Sequence, residues 1–317
     1  MAATAGIIPI RPLASLYFRL AHDALERAYD PEVDSYFHLL HGSYLTGLGD
    51  RSLAVGAADR VMSLAGDLGF RRRWEEGAAL RYQLAWGVDF EACLEWSNRM
   101  SASAAGRNDD QVLYWGLLSP AEVHATRGDI ALAEPFLRRA EAGAAQLGAP
   151  ERIRLLALRA LVSLGEGAVG EAVEAGQQVN RLITATSTVH VYCITAYAIA
   201  AQVQLELSRR GVKGSGDGVR LACANLRSAA RIFPVARPIH FMHAGDLRVQ
   251  TGDLAGALAS WHRGREASVE LGTPLDTALL DLRLARHGAL PPDSGAAEEE
   301  AIQTLRRLRV REPESHR

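Results

Sequence analysis

Gly128-Asp129-Ile130-Ala131-Leu132-Ala133 opens a stretch that closes at Leu147-Gly148-Ala149-Pro150. Ile130, Ala133, Leu137, Ala140, Ala144 and Leu147 recur at spacings of 3 and 4. That is one apolar face of an α-helix. Gly128 suits the left-handed end of a preceding helix, and Asp129 suits the cap or first turn of the next. Gly148 then stops the helix. Pro150 starts another, in the first turn, where a missing N–H is harmless.

The same unit recurs on either side. Moving 124 residues forward puts Leu254, Ala257, Trp261, Gly264, Ser268, Leu271, Gly272 and Pro274 in the same slots. Moving 79 back puts Ala54, Ala58, Val61, Ala65, Leu68 and Gly69 there. Gly49-Asp50, Gly128-Asp129 and Gly252-Asp253 each precede a Leu-Gly pair by the same interval. Weaker copies start at Gly87, Gly165 and Gly216, the last opening a helix over 219–233. The anchor steps are 38, 41, 37, 51 and 36. Small residues in the shared slots let helix backbones approach closely, as stacked helix pairs require. A period in this range fits tetratricopeptide-like helix pairs better than three-helix units.

The expected fold is therefore all-α, a right-handed superhelical α-solenoid of about six or seven tetratricopeptide-like helix pairs. It forms a single array over residues 1–317. Residues 12–47 form the first pair, 48–290 the repeats, and 291–317 a capping helix (294–309) with a frayed tail over 311–317. Gly49, Gly128, Gly165 and Gly252 belong in tight turns at helix C-termini, and Ala54, Ala133 and Ala257 at close helix contacts.

Composition narrows the function. The chain is 48% hydrophobic and 23% charged, which is globular rather than disordered. A net charge of −2 excludes the global basic character of nucleic-acid binders. Lys213 is the sole lysine. The most apolar stretch, 189–203, is too short to span a bilayer and reads as the most buried helix of the stack. Residues 1–10 form no signal peptide, because Arg11 interrupts them. Cys93, Cys193 and Cys223 are far apart in apolar contexts, as free thiols in a reducing cytoplasm would be.

Motifs for chemistry are sparse. Gly214–Gly218 lacks the strand and the Lys-Ser/Thr ending of a phosphate loop. Asp34, His38 and His41 could share one helix face and hold a metal, but a solvated polar stripe, a common feature, is the favoured reading. His240 and His243 form a weaker pair. No cofactor, metal or catalytic residue is assigned, and the chain is expected not to be an enzyme.

Two segments carry candidate binding residues. One is Arg71-Arg72-Arg73-Trp74-Glu75-Glu76 with Arg81, Tyr82 and Trp86; the other is Gln111–Leu118 with Tyr114 and Trp115. Tryptophan and arginine are enriched at interface hot spots. The expected groove is Arg73, Trp74, Arg81, Tyr82, Trp86, Tyr114 and Trp115, on first helices that line a concave face. Its arginines favour an acidic or C-terminal-carboxylate peptide. The same aromatics could instead serve inter-repeat packing.

These segments also carry a family resemblance. Arg72-Arg73-Trp74-Glu75-Glu76, Gln111-Val112 leading to Trp115-Gly116-Leu117-Leu118, Gly252–Ala257 with Trp261, and Asp276 to Arg286-His287 enter it. Together they resemble the C-terminal tetratricopeptide-like region of bacterial multidomain signalling proteins. Those proteins carry a class III nucleotide cyclase or protein kinase domain, then an AAA-type ATPase, then the array. The resemblance covers roughly residues 12–310. It implies a cytoplasmic sensor or docking module and implies neither cyclase nor ATPase activity, since the segments for those are missing. The expected function is protein or peptide recognition without catalysis, involving neither nucleic acid nor membrane. The alternatives are a small-molecule or peptide-pheromone receptor and, less favoured, an enzyme on a helical scaffold.

Overall fold

Glycines with positive φ punctuate the chain and set its architecture. The computed structural model describes residues 11–107, 109–143, 147–186, 190–290 and 295–311. Among these are fifteen α-helices and no strand. They are α1 (Arg11–Arg27), α2 (Pro31–Leu48), α3 (Arg51–Leu68), α4 (Arg71–Ala85) and α5 (Phe90–Ala104). Then come α6 (Asp110–Arg127), α7 (Ile130–Ala142), α8 (Ala149–Gly165), α9 (Val169–Ala185) and α10 (Ile194–Arg209). The last five are α11 (Ser215–Ile232), α12 (Arg237–Gln250), α13 (Leu254–Glu270), α14 (Pro274–Arg286) and α15 (Gly295–Leu308). Short 3-10 turns at Val191–Cys193 and Pro234–Ala236 lead into α10 and α12.

From α2 onward the helices pair two by two, α2 with α3 through α14 with α15. The turn inside each pair holds a left-handed glycine: Gly49, Gly87, Gly128, Gly167, Gly211, Gly252 or Gly288. Their steps are 38, 41, 39, 44, 41 and 36, more even than the sequence anchors suggested. Two anchors are corrected. Gly165 is the last residue of α8, with the left-handed residue at Gly167. Gly216 lies inside the first turn of α11, with Gly211 and Gly214 carrying the turn. Gly288 marks a seventh pair. Positive φ costs a residue with a Cβ, which is why these slots hold glycine.

Aspartates open several of the helices. The Asp50, Asp89, Asp109 and Asp253 side chains accept from the backbone N–H groups of Leu53, Ala92, Val112 and Gly256. Each satisfies one orphan donor of a helix start. Asp129 makes no such bond and accepts instead from Arg311 at 3.0 Å.

Residues 12–47 do form two helices, yet α2 packs far more closely on α3 than on α1. The α7 helix ends at Ala142, short of the predicted Leu147. The terminal helix falls at Gly295–Leu308, and most of the frayed-tail expectation lies outside the described residues. Ala54, Ala133 and Ala257 are fully buried, as the repeat register requires. The α10 helix sits in the largest apolar cluster, with Ile199, Ala200, Val203 and Leu207 facing α8, α9 and α11. No helix among the described residues is long and apolar enough to cross a membrane. Cys93, Cys193 and Cys223 are buried and unbridged.

Even-numbered helices stack on one another, α2 on α4, α6 on α8, α8 on α10, and onward to α14. They form the inner layer. The array then closes on itself, which the repeat pattern does not announce. The Leu275 N–H at the start of α14 donates to the Gly87 carbonyl at 3.1 Å. The Arg127 Nε donates to the Leu308 carbonyl at 3.0 Å, and the Arg311 N–H to the Arg127 carbonyl at 3.1 Å. Leu271 and Phe233 press so closely on Gly49 and Gly47 that a Cβ at either glycine would overlap them. The last pairs therefore pack against the first three, and the concave face becomes the wall of an interior channel.

Candidate functional site

The channel has two chambers lined by inner helices. The first, about 290 Å³, is bounded by α2 and α4, then by Trp115, Ser119 and Glu122 of α6, Arg154 of α8, and the starts of α10 and α14. The second, about 530 Å³, lies between α10, α12 and α14. Trp86, Thr195, Ile239, Leu275 and Asp276 line both, so the chambers meet at one waist.

The expected groove residues separate into two sets. Tyr82, Trp86 and Trp115 line the first chamber. Trp86 and Trp115 are each half-buried. Trp86 stands edge-on to Phe90 with ring centroids 5.1 Å apart. Tyr114 is buried instead, its hydroxyl donating to the Glu151 carbonyl at 2.8 Å. Arg73, Trp74 and Arg81 do not line the channel, and Arg73 touches it only through Glu76. Arg73 binds Glu76 at 2.7 Å with its guanidinium over Tyr36. Arg81 lies 3.5 Å from Asp59 and over Trp96, toward the outer helices. Trp74 packs under Arg99 beside Ala65, Gly66 and Ala102. The expected single groove of Arg73, Arg81, Trp86 and Trp115 is therefore corrected, because neighbouring carboxylates hold the two arginines, with Tyr36 of α2 under Arg73 and Trp96 of α5 under Arg81.

The two segments singled out from sequence meet each other. Arg72 binds Asp109 at 3.0 Å and the Gln111 Oε1 at 2.6 Å, and stacks 4.8 Å from the Trp115 ring. Glu75, fully buried, is bound by Arg107. Gln111 and Trp115 in turn donate to Glu151 on α8 at 2.8 and 3.4 Å. These partners are separated by 36 to 40 residues, apart from the Glu75–Arg107 pair at 32. Most of these hydrogen bonds thus carry the repeat period, each tying one first helix to the next.

At the centre of this wall lies a buried ion pair that sequence inspection missed. Arg154 grips Glu122 with both ends of its guanidinium, at 2.9 and 2.7 Å. The Tyr82 hydroxyl donates to the same carboxylate at 2.9 Å. Burial opposes the charge of Arg154, but the Glu122 carboxylate more than restores it and holds the guanidinium above its ordinary range. Burial, with Glu122 beside it, keeps the Tyr82 phenol protonated well above its usual value. The available signal was a lone glutamate inside the run Leu117–Val123, where an unpaired charge could not be buried.

The second chamber repeats the pattern. Asp246 accepts from Arg283 at 2.7 and 3.0 Å and from the Trp261 indole at 3.2 Å. Burial disfavours its charge, yet Arg283 and His243 outweigh that and hold the carboxyl far below the usual range. Glu206 is held by Arg209 and Arg210 at 2.7 Å.

Asp276 differs from all of these. It lines the waist with no ion pair among the described residues, and burial pushes its carboxyl up to about 6, offset only in part by a hydrogen bond from Thr273.

Asp34, His38 and His41 do not converge on one point. Asp34 is taken by Arg60 at 2.9 Å and by His38 at 3.2 Å, while His41 lies among Phe18 and Phe37. His240 is half-buried, and burial with nearby Arg227 brings its imidazole down to about 4. Comparison with protein-family descriptions finds no match for this chain, and no curated protein matches it significantly.

Proposed function

We propose that the chain is a non-catalytic recognition module of a bacterial signalling or regulatory system, working in the cytoplasm. Its inner channel receives a short, mostly apolar segment of a protein or peptide. The kinship with the C-terminal arrays of multidomain cyclase or kinase and ATPase proteins belongs to this proposal, as does a right-handed winding of the pairs. The observation that carries it is the continuous two-chambered channel, walled by the stacked first helices and by half-buried Trp86 and Trp115. Binding sites are concave, mostly apolar and provided with few polar groups. Inside the channel the Glu122–Arg154, Asp246–Arg283 and Glu206–Arg209 pairs neutralise one another, which suits the binding of a mostly apolar guest. The arginines that favoured an acidic ligand lie off the channel, so an apolar guest fits it better.

The size of the first chamber supports a second reading, a small-molecule receptor, because pockets of roughly 300 to 1,000 Å³ hold such ligands. Both readings share one test. Ala79 lines the first chamber on α4, and Ala79→Trp would fill it with an indole. Calorimetric titration with acetylated apolar pentapeptides is expected to give binding to the wild type and none to Ala79→Trp. Binding of equal strength to both rejects the channel as the site.

A further inference from the structure

Among the described residues, the acidic groups lining the channel are matched with arginines, with one exception. Glu76 is held by Arg72 and Arg73, Glu122 by Arg154, Glu206 by Arg209, and Asp246 by Arg283. Asp276 faces both chambers and has Thr273 as its hydrogen-bonding partner. Among the described residues no arginine or histidine forms an ion pair with Asp276, and Arg283 on the same helix is taken by Asp246. Arg286 lies ten residues further along the same helix, roughly 15 Å away at 1.5 Å per residue.

Position and company complete the picture. The first turn of α14 is pinned to the turn after α4 by the Leu275 N–H bond to Gly87. This places Asp276 at the waist with Trp86, the residue before that glycine. On the α4 wall of the first chamber the Gln83 Oε1 is buried without a donor. A carboxylate without a counter-ion, an orphan acceptor and an indole face are what an ammonium group on an apolar stem satisfies. A cation beside an indole gains from the ring quadrupole, the more so when desolvated.

We propose that the waist of the channel is a subsite for a protonated amine, with the Asp276 carboxylate as its counter-ion and the Trp86 indole as its wall. The proposal rests on the channel being the binding site. The amine belongs either to a lysine of a bound peptide or to a free small molecule, and the shared chemistry is an ammonium carried on a hydrocarbon stem. The aspartate at this position also suits the first turn of a helix, where the macrodipole favours an anion. That role needs no ligand and leaves ligand preference unchanged on substitution, which separates the two.

The test is calorimetry at about pH 7.5 with 4-phenylbutylammonium, 4-phenyl-1-butanol and 4-phenylbutyrate. A second arm uses the peptide acetyl-Val-Leu-Lys-Leu-Val-amide and its norleucine counterpart. The wild type is expected to bind an ammonium probe about tenfold tighter than its neutral partner, and phenylbutyrate weakest. Preference in the first arm alone identifies a free amine as the source, and in the second arm alone a peptide lysine. Asp276→Asn, checked for an intact melting transition, is expected to bind the charged and neutral probes alike. Asp276→Glu is expected to keep part of the preference. Equal affinity of the wild type for charged and neutral partners in both arms overturns the subsite, as does a preference that survives Asp276→Asn. Neutral probes that bind the wild type but not Ala79→Trp keep the channel while the subsite falls. Absence of binding by every probe overturns both.

Discussion

The wall from α4 to α8 and the seam where Phe233 and α13–α15 meet α2–α6 are both packing contacts, yet they are built differently. The wall is polar and periodic. Arg72 with Asp109, Tyr82 with Glu122, and Gln111 with Glu151 are 37, 40 and 40 residues apart. The seam is aperiodic and mixes backbone, apolar and charged contacts, the last including Arg311 with Asp129 and the Arg127 guanidinium with the Leu308 carbonyl. Leu271 covers Gly49, Phe233 covers Gly47, and the Leu275 N–H reaches Gly87. The wall can be extended by adding repeats, since each contact involves the next pair only. The seam exists once and depends on curvature accumulated over the whole array. Stacking makes the helices, while closure makes the channel.

The largest expected effect comes from breaking the wall at its buried pair. Arg154→Met leaves the Glu122 carboxylate buried with only the Tyr82 hydroxyl beside it. Removing one partner of such a pair costs about 3–5 kcal/mol. Adding Glu122→Leu removes the stranded charge, and a similar apolar volume is tolerated far better. Urea unfolding is expected to show Arg154→Met much less stable than the wild type, and the double variant recovering most of the loss. A single variant within 1 kcal/mol of wild type would show that water reaches this pair.

The contrast also explains what the sequence reveals. Ala54, Ala133 and Ala257 lie in repeat slots and are fully buried, because the spacing of small residues encodes nearest-neighbour stacking. The glycine turns follow from the same logic. They slipped by two residues at Gly167 and by five at Gly211 because several glycines compete there. Closure was not legible. Gly49 reads as a turn glycine, and nothing local indicates that Leu271, more than 200 residues later, lies on it. The site was half legible. Trp86 and Trp115 stand out by residue type and do line the channel. Arg73 and Arg81 stand out equally but do not line it: helical phase turns Arg81 toward the outer helices, and Glu76 with the Tyr36 ring holds Arg73. Asp276 was hidden as an ordinary first-turn acid.

A glycine pair sharpens the comparison at intermediate size. Gly49 and Gly69 both have positive φ, at 85° and 71°. A Cβ on Gly49 would overlap Leu271, whereas one on Gly69 would meet no atom within 4 Å. Gly69→Ala should cost only the left-handed conformation, about 1–2 kcal/mol. Gly49→Ala should add overpacking and cost about 2–4 kcal/mol. Leu271→Ala in the Gly49→Ala background is expected to recover the packing part and none of the conformational part. A double-mutant cycle for Gly49 and Leu271 with no coupling would mean that the seam is open in solution.

The smallest effect concerns pH and one residue of the seam. Asp276 has its carboxyl pushed up to about 6 in the folded chain by burial. In the unfolded chain an aspartate ionises near its ordinary value of about 3.9. Below that value both states hold the proton, and the folded state keeps its full stability. As pH rises toward 6 the unfolded chain loses its proton more readily, and stability falls until the folded carboxyl has ionised as well. Two units correspond to roughly 3 kcal/mol at most, and partial access to water from the channel reduces this to about 1–2 kcal/mol. Asp276→Asn mimics the protonated acid at every pH. It should therefore melt higher than the wild type at pH 7.5 and alongside it at pH 4. The gain should shrink when Gly49→Ala already loosens the seam, because an open seam lets water reach the carboxylate. An equal gain in both backgrounds would place the desolvation of Asp276 within its own helix pair and not in the closure of the array.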